Sequence, residues 1–188
     1  MYTYIVKHLP KNSKKRPGHP MKPKYLTIHD TGNPKSTAQD EANWLTNPLN
    51  VSSTGFHIVV DEKNVIELIP PYENAWHAGD GENGPGNRES IGVELCESGN
   101  REKTVENAAF LAATLIKAYG LTLKQHNDWS GKDCPRLLRQ GNNWQKFVDK
   151  VNTHLAAMSG KEVPGEDYKQ KYLNLVADIK ALMEKYRP

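Results

Sequence analysis

The chain has 188 residues, 37% of them hydrophobic, with 25 Lys and Arg against 22 Asp and Glu. A chain of this length buries one real core, so one globular domain with a short appendage is expected. No apolar run approaches the roughly 18 residues a membrane helix needs, and two cysteines cannot build a disulfide framework.

The opening MYTYIVKHLPKNSKK places its charges after a short apolar run, the wrong order for a secretory signal. Synthesis in the cytoplasm without a signal peptide is the expectation. Residues 1–24 hold seven basic side chains (Lys7, Lys11, Lys14, Lys15, Arg16, Lys22, Lys24) and no acidic one, which leaves the remainder at net −4. Such a segment attracts polyanions: nucleic acid, anionic lipid or an anionic wall polymer. The plainer reading is a solvated, Pro-punctuated stretch.

Tyr25–His29 (YLTIH) is short, β-branched and apolar, the composition of a strand. Ser36-Thr37-Ala38-Gln39 has capping-box form and predicts a helix to about Thr46. Phe56–Val60 and Val65–Ile69 flank Asp61-Glu62-Lys63-Asn64, which predicts an antiparallel hairpin. Residues 73–90 are rich in Gly and Asn, a long loop of the kind that carries function. Ile91–Cys96 alternates: Ile91, Val93 and Leu95 share one face, and Gly92, Glu94 and Cys96 the other.

Thr104 is placed to cap a helix with the stripe Val105, Ala108, Ala112, Leu115 and Tyr119, and Gly120 stands where a C-terminal glycine belongs. A last core helix carries Trp144, Phe147, Val148, Val151 and Leu155 and stops at Ser159-Gly160. Residues 159–166 read as a linker. An amphipathic pattern over 167–186 predicts one more helix, marginal alone and therefore expected to pack on the domain.

Seven histidines and two cysteines raise the question of a metal. In QHNDWSGKDCP, residues 125–135, His126 and Cys134 lie on a loop without a helix signal between them. Imidazole and thiolate both suit zinc. His29, at a strand end before a turn, is the best third donor. Taken singly, each also reads as a hydrogen-bonded structural histidine or a packed cysteine.

Five strings in order, IHDTG at 28–32, GFHIVVD at 55–61, AWHAG at 75–79, NRESIGVEL at 87–95 and HNDWSGKDCP at 126–135, together closely resemble the type 2 N-acetylmuramoyl-L-alanine amidases. That family includes phage and prophage endolysins and wall-recycling amidases, and is related to peptidoglycan recognition proteins. The resemblance covers about residues 20–155. It implies an α/β fold with a mixed central β-sheet flanked by helices, here with a C-terminal helical extension. It also implies a zinc amidase catalytic domain over residues 1–158, cutting between N-acetylmuramic acid and L-alanine of the stem peptide.

By position, the resemblance makes His29, His126 and Cys134 the zinc ligands, Glu94 the catalytic carboxylate and Lys132 the catalytic lysine. A three-ligand site leaves one position open for water. Glu94, opposite the apolar face of its strand, is free to reach a cleft and move protons. Lys132 carries the charge to offset an oxyanion. The resemblance places His57 and His77 in motifs near the substrate groove, as substrate contacts or donors behind the ligands, with a structural imidazole as the plainer reading; Trp76 offers a flat surface for a sugar or stem peptide, or packs in the core. Cys96 reads as packing.

The implied partner is peptidoglycan, with residues 1–24 touching an anionic wall polymer. Neither nucleic acid nor membrane is expected to bind, and a monomer is expected. The Gly-Asn loop before SIGVEL is most similar to prophage endolysins of Gram-positive hosts, which would reach the wall through a membrane pore. The alternatives are a non-catalytic peptidoglycan-binding module and a cytosolic recycling amidase. The presence of Cys134 speaks for an enzyme.

Overall fold

The computed structural model describes residues 2–11, 13–160 and Ala177. The expected linker and C-terminal helix therefore lie almost wholly outside the described residues. The elements are β1 (Thr3–Val6), β2 (Tyr25–Asp30), α1 (Ala38–Thr46), β3 (Ile58–Val60), β4 (Asn64–Glu67), α2 (Pro85–Arg88), β5 (Ser90–Leu95), α3 (Arg101–Tyr119), β6 (Thr122–Gln125), α4 (Asn127–Ser130), α5 (Arg136–Arg139) and α6 (Asn143–Met158).

Six strands form one mixed sheet in the order β1-β4-β3-β5-β2-β6. The β3–β4 hairpin is its antiparallel pair; the other neighbours run parallel. Asp61 fixes the hairpin turn by accepting from the Lys63 and Asn64 amides at 2.7 and 2.6 Å. In β5 the alternation sends Ile91, Val93 and Leu95 into a core shared with Leu26 and Ile28 of β2 and closed by α3 and α6. The opposite face packs Val59 and Ile66 against Ala38, Ala42 and Leu45 of α1. Burying each Leu, Ile or Phe of these layers stabilises the fold by about 1.5–3 kcal/mol. No described helix is long and apolar enough to cross a membrane.

Two helix starts fall one to four residues from the sequence reading. The cap of α1 is Thr37: its side chain accepts from Asp40 N, while the Asp40 carboxylate accepts from Thr37 N. Ser36 instead donates to Glu41 at 2.5 Å. In α3 the cap is Asn100, whose Oδ1 accepts from Lys103 N at 3.1 Å, and Thr104 sits buried one turn inside. Gly120 ends α3 in the left-handed conformation at φ 70°, as its position predicts.

The basic N-terminal segment differs more from expectation. Thr3–Val6 pairs with β4 and extends the sheet edge. Lys15 is buried and donates to the carbonyls of Leu45 and Asn47 at 2.9 and 3.2 Å. Arg16 is buried too, with a bidentate grip on Glu73 at 2.6 and 2.7 Å and a third bond to the Leu9 carbonyl. A short local pattern hides these roles, because each partner lies far along the chain. Lys11, Lys14 and Lys22 still face outward.

Two predictions follow from these ion pairs. Removing Arg16 leaves Glu73 buried without its cation, a loss of about 3–5 kcal/mol. Urea unfolding of Arg16→Ala is expected to show it, with Lys14→Ala within about 0.5 kcal/mol of the parent. On α3, Glu106 accepts from His154 and Lys150 of α6 at 2.9 and 2.6 Å. The His154 bond, first, and then Lys150 hold its carboxyl down at about 2 against the opposing effect of burial.

A depressed carboxyl stabilises above its unfolded pKa and loses that contribution as pH falls through the folded value. The α3–α6 clamp is therefore lost between about pH 4.5 and 2. Solvent screening of this half-exposed group keeps it near 1 kcal/mol. Glu106→Gln is expected to lower stability at pH 7 and to flatten the acid limb of the unfolding profile over that window.

Candidate metal centre and cleft

The parallel strands β5, β2 and β6 lie side by side, and their carboxyl ends open on one edge of the sheet. Ligands gather at such edges in open α/β sheets. Glu94 is the penultimate residue of β5 and stands in register with His29 of β2. His126 follows directly after β6, tied to β2 by its amide bond to the Ile28 carbonyl at 3.3 Å. Side chains of His29 and Glu94 project to the α1 face, away from the core that Ile28 and Val93 enter.

Cys134 arrives from the other side, on the loop between α4 and α5. Asn127 staples that loop, donating its amide to the Cys134 carbonyl at 3.0 Å and its side-chain amide to the Lys132 carbonyl at 2.9 Å. Asp30 anchors its far end by accepting from Leu137 N at 2.7 Å, and is itself paired with Arg101 at the start of α3.

The donor atoms of His29, His126 and Cys134 all lie within 4.8 Å of one another, and all three residues are buried. His29 Nδ1 is 2.9 Å from His126 Nδ1 and 3.8 Å from Cys134 Sγ. Glu94 Oε1 is 3.9 Å from the same His29 nitrogen. The other carboxylate oxygen, Oε2, is buried and has no hydrogen-bond partner among the described residues.

The tautomers follow from a chain of contacts behind the site. The Ser90 carbonyl only accepts, so His77 Nε2, 3.1 Å away, carries a proton. His77 Nδ1 then accepts from His29 Nε2 at 3.0 Å. This leaves His29 Nδ1 as a lone pair facing the site. His126, bonded to the Ala78 backbone, likewise turns Nδ1 inward.

Two imidazole lone pairs 2.9 Å apart repel one another unless a cation lies between them. This pairing, with the thiol and an unpartnered carboxylate oxygen beside it, fits a metal ion.

Electrostatics agree. Burial, then the neighbouring His77 and His126, hold His29 well below the usual imidazole range. Burial and then Lys132 bring His126 to about 4, so both rings are neutral at pH 7. Burial, then Glu94, push the Cys134 thiol up to about 12, against the Asp30 backbone contact. Burial, then Glu41 and Asp30, raise the Glu94 carboxyl well above the usual range, with Lys132 opposing.

The cluster sits where two arms of a cleft meet. One arm, of about 390 Å³, runs along α1. The other, of about 670 Å³, runs under the Gly-rich loop. Thr54, His77, His126 and Lys132 line both.

Of the residues singled out in the sequence, His29, His126, Cys134, Glu94 and Lys132 thus come together. His77 touches the cleft and also holds His29. Trp76 lines the second arm, half-buried. His57 lies deeper and lines neither arm: it donates to the Glu73 carbonyl at 2.9 Å and accepts from Gly92 N at 2.9 Å. Cys96 is fully buried against α1.

Sequence reasoning missed Trp44 and Thr54 in the walls, Asp30 as the anchor, and Gly92. A glycine inside a strand does signal a close approach: a Cβ on Gly92 would lie 2.7 Å from His77 Cγ.

The family of N-acetylmuramoyl-L-alanine amidases matches residues 19–137, and the chain belongs to it. CwlA of Bacillus subtilis (strain 168), an N-acetylmuramoyl-L-alanine amidase, is 43% identical over 167 residues, which is 84% of this chain and 60% of CwlA. CwlH of the same organism is 36% identical over 179 residues, 92% of this chain and 67% of CwlH. The solved catalytic domain of XlyA superposes with a TM-score of 0.74 at 38% identity, covering 79% of this chain and 99% of that domain. A mutant endolysin from Bacillus subtilis gives 0.75 at 40%, covering 80% and 99%. The chain spans about 60% of the length of CwlA and half that of XlyA.

Gly92→Ala is expected to push the His77 ring off His29 and so weaken metal affinity by about 10–100-fold. Competition titration with a chromogenic chelator on the folded variant measures this.

Proposed function

We propose that this chain hydrolyses the amide joining N-acetylmuramic acid to the L-alanine of the peptidoglycan stem peptide, as a lytic enzyme of phage or prophage origin. The observation that carries the reading is the buried His29–His126–Cys134 cluster with Glu94 at 3.9 Å, set at the junction of a two-armed cleft. Membership of the amidase family supports the bond assigned.

Two imidazole nitrogens and one thiolate are a donor set suited to zinc, which His29, His126 and Cys134 would hold. When bound, zinc supplies Lewis acidity toward water and the scissile carbonyl. Glu94 takes the proton from the attacking water and delivers it to the departing alanine nitrogen. Lys132, lining both arms, offsets the charge that develops on the carbonyl oxygen. His77 keeps the His29 lone pair aimed inward.

Peptidoglycan is thus the substrate. Contact with an anionic wall polymer rests on the outward Lys11, Lys14 and Lys22 rather than on the whole basic segment. Synthesis in the cytoplasm and release through a pore fit the lytic role.

Zinc-loaded protein incubated with purified walls is expected to expose new L-alanine amino termini and no reducing sugar ends. Chelation should abolish this, and zinc should restore it. Glu94→Gln is expected to lower kcat by about 10²–10⁴-fold with zinc stoichiometry unchanged, whereas Cys134→Ala should lose the zinc itself. Wall binding without any release of amino termini would instead make the chain a recognition module.

A further inference from the structure

The two arms of the cleft differ in chemistry, and the proposed amide substrate also has two unlike ends. One is an uncharged glycan. The other is a short peptide carrying carboxylates. The arm along α1 presents Asp40 and Glu41, with Lys132 only at the junction; the Asp30 carboxylate in its lining is taken up by Arg101 and the Leu137 amide. A carboxylate-bearing peptide is repelled there, and a neutral sugar is not. The arm under the Gly-rich loop offers Lys132, Asn87, Ser130 and loop glycines, with Glu82 as its acidic side chain.

The α1 arm also carries a flat apolar surface. Trp44 projects from α1 into the cleft wall and is 45% exposed, uncommon for an indole. Leu49 and Val51, on the segment that follows α1, are 85% and 78% exposed.

This exposure is built in. Lys15, itself buried, donates to the carbonyls of Leu45 and Asn47, and its ammonium lies 5.8 Å from the Trp44 ring centroid. Asn50 Nδ2 donates to the Trp44 carbonyl at 3.0 Å. Asn47 and Asn50 side chains accept from the Leu49 and Ser52 amides at 2.9 and 3.1 Å. The segment is held at each step, so the indole is presented with little ordering cost on binding.

We propose that Trp44 is the platform on which a sugar ring of the glycan strand stacks, so that the glycan lies along α1 and the stem peptide leaves under the Gly-rich loop. The aliphatic C–H face of a pyranose covers an indole as an apolar surface does, while its hydroxyls stay toward water. Trp44 is a positioning residue: it sets where the scissile amide falls without touching the reacting atoms. The assignment rests on the proposed peptidoglycan substrate.

Two measurements test it. The first is independent of catalysis. Zinc-loaded Glu94→Gln protein is titrated with peptide-free N-acetylglucosamine–N-acetylmuramic acid oligosaccharide, and separately with free stem peptide, following tryptophan side-chain NMR signals. The Trp44 indole signal, identified by its loss in Trp44→Phe, should shift with the sugar and not with the peptide. A shift with peptide alone, or with neither, overturns the proposal.

The second compares kcat/KM for disaccharide-peptide and for a sugar-free N-acyl-L-alanyl peptide of the same stem. Trp44→Ala should lose about 10-fold on the first substrate and stay within about 2-fold on the second, with the loss in KM, and Trp44→Phe should keep most of the activity. Equal losses on both substrates overturn the platform. A parent protein that binds sugar through Trp44 but cuts no amide refutes the amidase reading alone.

Discussion

Two buried imidazole nitrogens turned toward one another at the floor of a cleft are the constraint around which this molecule is arranged. Bare lone pairs at 2.9 Å are unfavourable, and burial removes the option of protonating either ring cheaply. The arrangement persists because each ring is held from behind. The Ser90 carbonyl fixes His77, His77 fixes His29, and the Ala78 backbone fixes His126. Those supports come from β5, from the loop before it and from the sheet edge. The architecture is thus committed to one pair of tautomers, and the thiol and carboxylate are brought up to the point where the two rings meet.

Parallel pairing explains how so few residues achieve this. Neighbouring parallel strands end on the same side, so β5, β2 and β6 deliver Glu94, His29 and His126 to one edge without long loops. Alternation along β2 then divides the labour. His29 turns to the cleft, and Asp30, one residue on, turns to the other face, where it grips α3 and the segment that follows Cys134. A slip of one residue in this register would exchange the two roles, which ties the site to the hydrophobic pattern that sets the register.

Much of this was legible in the sequence, for identifiable reasons. The strand alternation of Ile91–Cys96 placed Glu94 opposite the core, and the glycine at 120 marked the end of α3, because both signals are local. The ordered motifs around His29, His126 and Cys134 named the cluster before any distance was available. Other features depended on partners remote in the chain. Nothing in TYIV announces pairing with residues 64–67, and β6 is too short and polar to stand out. Lys15 and Arg16 read as part of a charged arm because Leu45, Asn47 and Glu73 are invisible to a local pattern. The caps at Thr37 and Asn100 were misplaced because several eligible side chains crowd each helix start, and only side-chain geometry chooses among them. Trp44 carries no local signal of its role, because the cleft wall it joins is built from residues remote in the chain.

The anchoring of the Cys134 loop bears on how the donor cluster is built. Asn127 and Asp30 hold that loop through hydrogen bonds that involve no metal donor atom. Small zinc domains fold only as they capture their ion. Here a layered hydrophobic core already holds the donors in place. A metal held by these donors would dock into a socket that the core already shapes, rather than drive the folding of the chain.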